Sequence, residues 1–114
     1  MTYEDITAML EEAGLPLAYD HFQEGEAPAP PFLVFLFPRS DNFSADGNVY
    51  QKIDTLSIEL YTDLKQPDVE RKVEAVLTRH DIFYNKTEVW IPEEKLYEVV
   101  YTTEVLINAY NDNQ

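Results

Sequence analysis

Apolar residues recur along this chain at two spacings, and the switch between them marks out its elements. Ile6, Met9, Leu10 and Ala13 follow the i, i+3, i+4, i+7 pattern, which predicts an amphipathic helix. Thr2 and Asp5 stand at capping-box spacing before it, and Gly14 followed by Pro16 supplies a stop. "LPLAYDHF" (15–22) reads as a short strand and the proline-rich "EGEAPAPP" as an extended connection. The apolar run "FLVFLF" (32–37) has the length of a strand buried on both faces, or on one face with the other against a neighbouring subunit, and is expected at the centre of a sheet.

The longest strand-like run is "NVYQKIDTLSIELYT" (48–62). Val49 and Ile53 share one parity while Leu56, Ile58 and Leu60 share the other, so a bulge is expected near Lys52 to Thr55. "QPDVERKVEAVLTRH" (66–80) predicts a second helix, with Pro67 at its first position and Val69, Val73, Val76 and Leu77 as its apolar stripe. "IFYNKTEVWI" and "KLYEVVYTTEVLI" form a predicted hairpin turned at "PEEK". In its second strand Tyr97, Val99, Tyr101, Val105 and Ile107 share one face, with Glu98, Thr102 and Glu104 on the other. The order α-β-β-β-α-β-β implies an α+β fold: a single mixed, mostly antiparallel sheet with two helices on one face, one domain over residues 1–114 with a frayed tail at 108–114.

Composition narrows the function classes. The 22 acids and 8 bases give a net charge of −14, which repels a phosphate backbone, so direct nucleic-acid binding is not expected. No Lys or Arg precedes Arg39. Without cysteine the chain has no disulfide framework and no thiolate chemistry, as suits a reducing compartment. No apolar run reaches the roughly 18 residues a membrane-spanning helix needs, and the N-terminus is acidic where a signal peptide would be basic.

Catalytic signals are sparse, and neither an enzyme nor a cofactor is expected. His80 reads as a cation at a helix C-terminus, and His21 would alternate with Asp20 across a strand, pointing to the other face. Ser40, Ser44 and Ser57 lack a nucleophile-elbow context. "SDNFSADG" lacks the carboxylates of a calcium loop, so no metal site is expected and a turn at Asp46-Gly47 is the better reading. Eight tyrosines and six phenylalanines are a surplus suited to interfaces. Phe43 stands out because it lies amid Asp, Asn, Ser and Gly, where no core periodicity explains it. The candidate interaction residues are therefore Phe43 with Asp41, Asn42 and Asp46 in the loop 38–48, and Val49 and Tyr50 where the long strand begins.

"AYDHF", "SDNFSADG", "VYQKI" and "IELYT", within a pattern running from about residue 3 to residue 107, resemble a family of small proteins from phage and prophage head–tail modules, the tail terminator (tail completion or neck) proteins of long-tailed phages. The likeness transfers no functional residue. It implies a non-enzymatic α+β subunit that self-associates as a ring, commonly of six, on the last ring of the tail tube protein and faces the head connector protein. DNA would pass through the ring without being bound, helped by an acidic wall, and no membrane is involved. The place implied is the host bacterial cytoplasm during assembly and the virion tail or neck afterwards. Two other classes share some features: an acidic DNA-mimic inhibitor of a nucleic-acid-binding protein, and a small ligand-binding domain.

Overall fold

The computed structural model describes residues 1–23, 25–40, 43–45, 48–51 and 53–106, the backbone alone at 39, 40, 43–45, 48–51 and 106. Helix α1 (Tyr3–Glu11) starts where the capping box predicts: Asp5 N–H donates to Thr2 Oγ1 at 3.0 Å and Thr2 N–H donates to Asp5 Oδ2 at 2.9 Å. These two hydrogen bonds, the backbone one foremost, hold the Asp5 carboxyl below its ordinary range. Gly14, at φ +75°, ends the element in the left-handed region that a side chain rarely adopts. Helix α2 (Pro67–Arg79) begins with its proline and buries Val69, Val73, Val76 and Leu77, the predicted stripe.

Five strands form one sheet in the order β1-β2-β5-β7-β6, with β1 Leu17–Tyr19, β2 Phe32–Ser40, β5 Ile53–Thr62, β6 Asn85–Ile91 and β7 Leu96–Leu106. A separate two-stranded sheet pairs β3 (Phe43–Ala45) with β4 (Asn48–Gln51). All contacts in the main sheet are antiparallel except β1 with β2. The α+β class with both helices on one face is as expected, but β2 is not central. That place belongs to β5, whose Ile58 pairs with Phe35 on one side and Tyr101 on the other. The apolar run of β2 has a different cause: Leu33 and Phe35 enter the helix-covered core, while Val34 is buried on the opposite face.

The phase change in the long run also has a different origin. The run is divided into β4 and β5, which belong to different sheets, and β5 pairs with β7 without a shift from Ile53 to Thr62, so Ile53 faces away from Leu56, Ile58 and Leu60 with no bulge at 53–55. The irregularity in the main sheet lies on β2 instead. Leu36 pairs with Ser57 and Arg39 with Thr55, so β2 spends three residues where β5 spends two. Pro38, with no N–H to give the ladder, lies in that bulge. The frayed tail expected at 108–114, and Ile107, lie outside the described residues.

The core between helices and sheet is continuous, from Ile6, Met9 and Leu10 of α1 through Leu33, Leu56, Ile58, Leu60 and Val99 to Val73 and Leu77 of α2. Each fully buried Leu or Ile contributes about 1.5–3 kcal/mol relative to exposure. Glu12 ties the two helices together, 2.9 Å from Arg79 Nη2 and 2.9 Å from His80 Nε2, and Arg79 first, then His80, lower its pKa.

Where α2 meets β6, the buried carboxylate of Glu70 lies 2.6 Å from Lys65 Nζ and 2.9 Å from Lys86 Nζ. Lys65 also pairs with Glu88, and Lys86 with Glu74 at 2.7 Å. The Tyr101 hydroxyl, on a fully buried ring, donates to the same Glu74 at 2.9 Å. Burial by itself would raise the Glu70 pKa, but the hydrogen bonds from Lys65 and Lys86 outweigh it and hold the group below its ordinary 4.5. A lowered acid contributes stability that is present above the ordinary value and lost as pH falls through the lowered one. Glu70→Gln should therefore cost about 1–3 kcal/mol at neutral pH and flatten the acid side of the stability profile, read by urea unfolding at about pH 7 and about pH 3.

Candidate interaction surface

The strand alternation that feeds the core also furnishes a second face that the helices leave uncovered. Register brings Phe32, Tyr61 and Glu98 into one row across β2, β5 and β7, and Val34, Glu59 and Val100 into the next. Asp20 N–H donates to Phe35 O at 2.7 Å, fixing the chain as it leaves β1, and Phe22 then meets the Phe32 ring edge-on at 5.3 Å. Phe32 in turn stacks on Tyr61 at 5.2 Å with 27° between the planes. Between them is a hollow of about 200 Å³, lined by Asp20, His21, Phe22, Phe32, Glu59 and Tyr61 together with small and apolar neighbours and Glu94.

At its floor the Tyr61 hydroxyl oxygen is 2.8 Å from Glu59 Oε1 and 2.8 Å from Glu98 Oε2. A phenol has one proton to donate, so it satisfies one carboxylate, and the other contact needs a second proton. Burial, then the hydrogen bonds to Glu98 and Glu59, push the Tyr61 pKa far above its ordinary value, which keeps that proton in place. Glu59 is raised by burial and by the charges of Glu98 and Asp20, against the opposing hydrogen bond from Tyr61. The described residues lining the hollow include no Lys or Arg.

Asp20 and His21 are closer than strand alternation allows, at 2.8 Å between Oδ2 and Nδ1. The strand stops at Tyr19 and Asp20 takes φ +69°, so the alternation does not reach the pair. Both side chains are mostly exposed. His80 does sit at the C-terminus of α2 as expected, its ring engaged by Glu12. Among the described residues no group of three His, Asp or Glu side chains is arranged to hold a metal ion.

Of the six interaction residues picked from the sequence, Phe43 lies in β3 and Val49 and Tyr50 in β4. Phe43 pairs with Gln51 and Ser44 with Val49. Asp41, Asn42 and Asp46 lie outside the described residues, as does the turn expected at Asp46-Gly47. The Glu59, Tyr61 and Glu98 group escaped sequence reasoning. Its only local signal was an acid two residues before a tyrosine on the polar side of a strand. A second surface lies at the free edge of the sheet, where β6 is exposed along nearly its whole length and its Trp90 packs on Tyr97 at 4.7 Å.

A raised acid favours folding below the ordinary value, and that contribution is lost as pH rises through the folded pKa. Replacing Glu59 by Gln should thus raise the thermal midpoint at neutral pH by a few degrees and leave it nearly unchanged below about pH 4, as differential scanning calorimetry would show.

No protein-family model and no curated protein matches the chain. Among solved structures, the fold is similar to that of a chain in the virion of a native gene transfer agent particle, with a TM-score of 0.57 at 10% identity, over 90% of this chain and 83% of that one. At that identity the likeness is one of fold.

Proposed function

We propose that this protein is a non-enzymatic structural component of a phage-like particle, a tail-terminator-like subunit that closes into a ring, caps the tail tube and joins it to the head connector. The observation that carries this reading is the fold shared, over 90% of the chain, with a chain of a virion. The sequence likeness to head–tail module proteins points the same way, as do features a ring subunit needs. Among the described residues strand β6 has an unpaired edge, and the β3–β4 pair forms a separate small sheet for neighbours to grip. In this reading residues 1–114 form one domain, and Phe43, flanked by Asp41, Asn42, Asp46, Val49 and Tyr50, anchors contacts with the neighbouring subunit or the tube. The subunit would assemble in the host cytoplasm and remain in the virion.

A net charge of −14 on every copy opposes assembly, so counterions should favour it. Light scattering after gel filtration should show a closed oligomer whose share grows with sodium and magnesium concentration. Phe43→Ala should abolish it while circular dichroism remains that of the wild type. Unchanged assembly would remove Phe43 from the contact.

The acidic hollow favours one other reading, a DNA mimic whose carboxylates occupy a basic partner. That reading expects a salt-indifferent monomer or dimer and recovery of a basic protein by pull-down.

A further inference from the structure

In a chain so acidic, the outward side of α2 is anomalous. Arg71, Lys72, Ala75, Thr78 and Arg79 are exposed on it, at spacings that bring them to one side of the helix. Three of the eight basic residues of the protein therefore stand on one ridge. Of the helix's own acids, Glu70 and Glu74 are turned to Lys65 and Lys86, and only the exposed Asp68, at i+3 and i+4 spacing from Arg71 and Lys72, stands on this side, one acid against three bases. Arg79 is held by Glu12, whereas Arg71 and Lys72 have no ion-pair partner among the described residues. Lys72 and Arg79 border a shallow groove that Ala75, Ala13, Val76 and Glu12 also line.

The complement lies on the opposite layer of the same molecule. The hollow over Tyr61 gathers Asp20 and Glu59 with Glu98 behind the phenol, and supplies one proton for two carboxylate contacts. A guanidinium or ammonium donates to both carboxylates at once, and the rings of Phe22, Phe32 and Tyr61 offer it faces and edges. About 200 Å³ is below the usual range for a small-molecule pocket and suits one long side chain.

We propose that the Arg71–Lys72 ridge of one copy docks into the acidic aromatic hollow on the uncovered sheet face of a second copy. This rests on the ring reading above and specifies its contact. Because ridge and hollow lie on opposite layers, the contact is heterologous: the copy at each end retains one unused surface, and the series propagates until it closes. Paired groups at hydrogen-bond distance are screened far less than the repulsion between whole subunits, so salt helps this contact form on balance.

Two variants separate the surfaces. One carries Arg71→Glu with Lys72→Glu, both exposed positions; the other carries Glu59→Gln with Glu98→Gln. Circular dichroism checks the fold of each, and light scattering at matched concentration and salt reads association. Each variant alone should remain monomeric where the wild type assembles, with the apparent dissociation constant raised at least about tenfold. An equimolar mixture should recover a species of two chains and no more, since one ridge and one hollow survive. If the hollow variant does not fold, carbodiimide cross-linking of the wild type decides, with an intermolecular bond from Lys72 to Asp20, Glu59 or Glu98 expected and its absence counting against the contact. Wild-type rings undisturbed by either pair of substitutions overturn this contact and leave the ring reading standing. Loss in both variants without the two-chain species also overturns it. A wild type that is monomeric under every condition overturns both. Wild-type retention of a short DNA duplex, lost with the ridge substitutions, would give the ridge a nucleic-acid occupant and overturn the proposal.

Discussion

The packing of both helices against a single face of the sheet is the constraint from which the other features follow. Leu60 pairs with Leu33 and Val99, and Ile58 with Phe35 and Tyr101, so the middle of the core is built from three strands distant in sequence. Into it α1 sends Ile6, Met9 and Leu10, and α2 sends Val73, Val76 and Leu77. Every alternate residue of those strands is then committed to the far side. That side is where Phe32, Glu59, Tyr61 and Glu98 meet, with Phe22 folded against it.

The two faces treat charge differently. On the helix side, acids and bases interlock: Glu70 with two lysines, Lys86 with Glu74, Glu12 with Arg79 and His80. The buried carboxylate of Glu70 has two cationic donors there, which depress its pKa and bind α2 to the sheet. On the far side Glu59 and Glu98 share a phenol, and Glu59 is pushed up by burial, with no Lys or Arg among the described residues lining the hollow. A surface whose charges are paired within the chain stabilises that chain. One that lacks a donor is better satisfied by another molecule, which is why the charge asymmetry bears on assembly.

Much of the fold was legible because its determinants are local. The capping box needs residues three apart, the helix stripes need a turn or two, and both appear where the spacing put them. The assignment of "FLVFLF" to the sheet centre failed for a physical reason. A strand next to the edge reads as apolar as a central one when a preceding segment covers its outer face, here through Phe22. The phase shift in 48–62 was read as a bulge in one bent strand and that failed, because the run is split between two sheets and β5 pairs with β7 without a shift, a difference that alternation alone does not encode. The separation of Asp20 from His21 failed because a left-handed residue ends the strand one position before the rule would have applied.

The chain by itself determined which residues are helix, which are strand and which side of each is apolar, since these depend on periods of 3.6 and 2 that operate within a few residues. It also determined the charge excess and the absence of cysteine chemistry. Strand order, and with it the meeting of Glu59, Tyr61 and Glu98 across a sequence separation of 37 residues, was decided only by the tertiary structure. So was the placement of Glu70 between Lys65 and Lys86. Such contacts depend on the register between strands, which is set when whole apolar faces are buried together, and no local pattern encodes which distant polar groups that burial brings opposite one another.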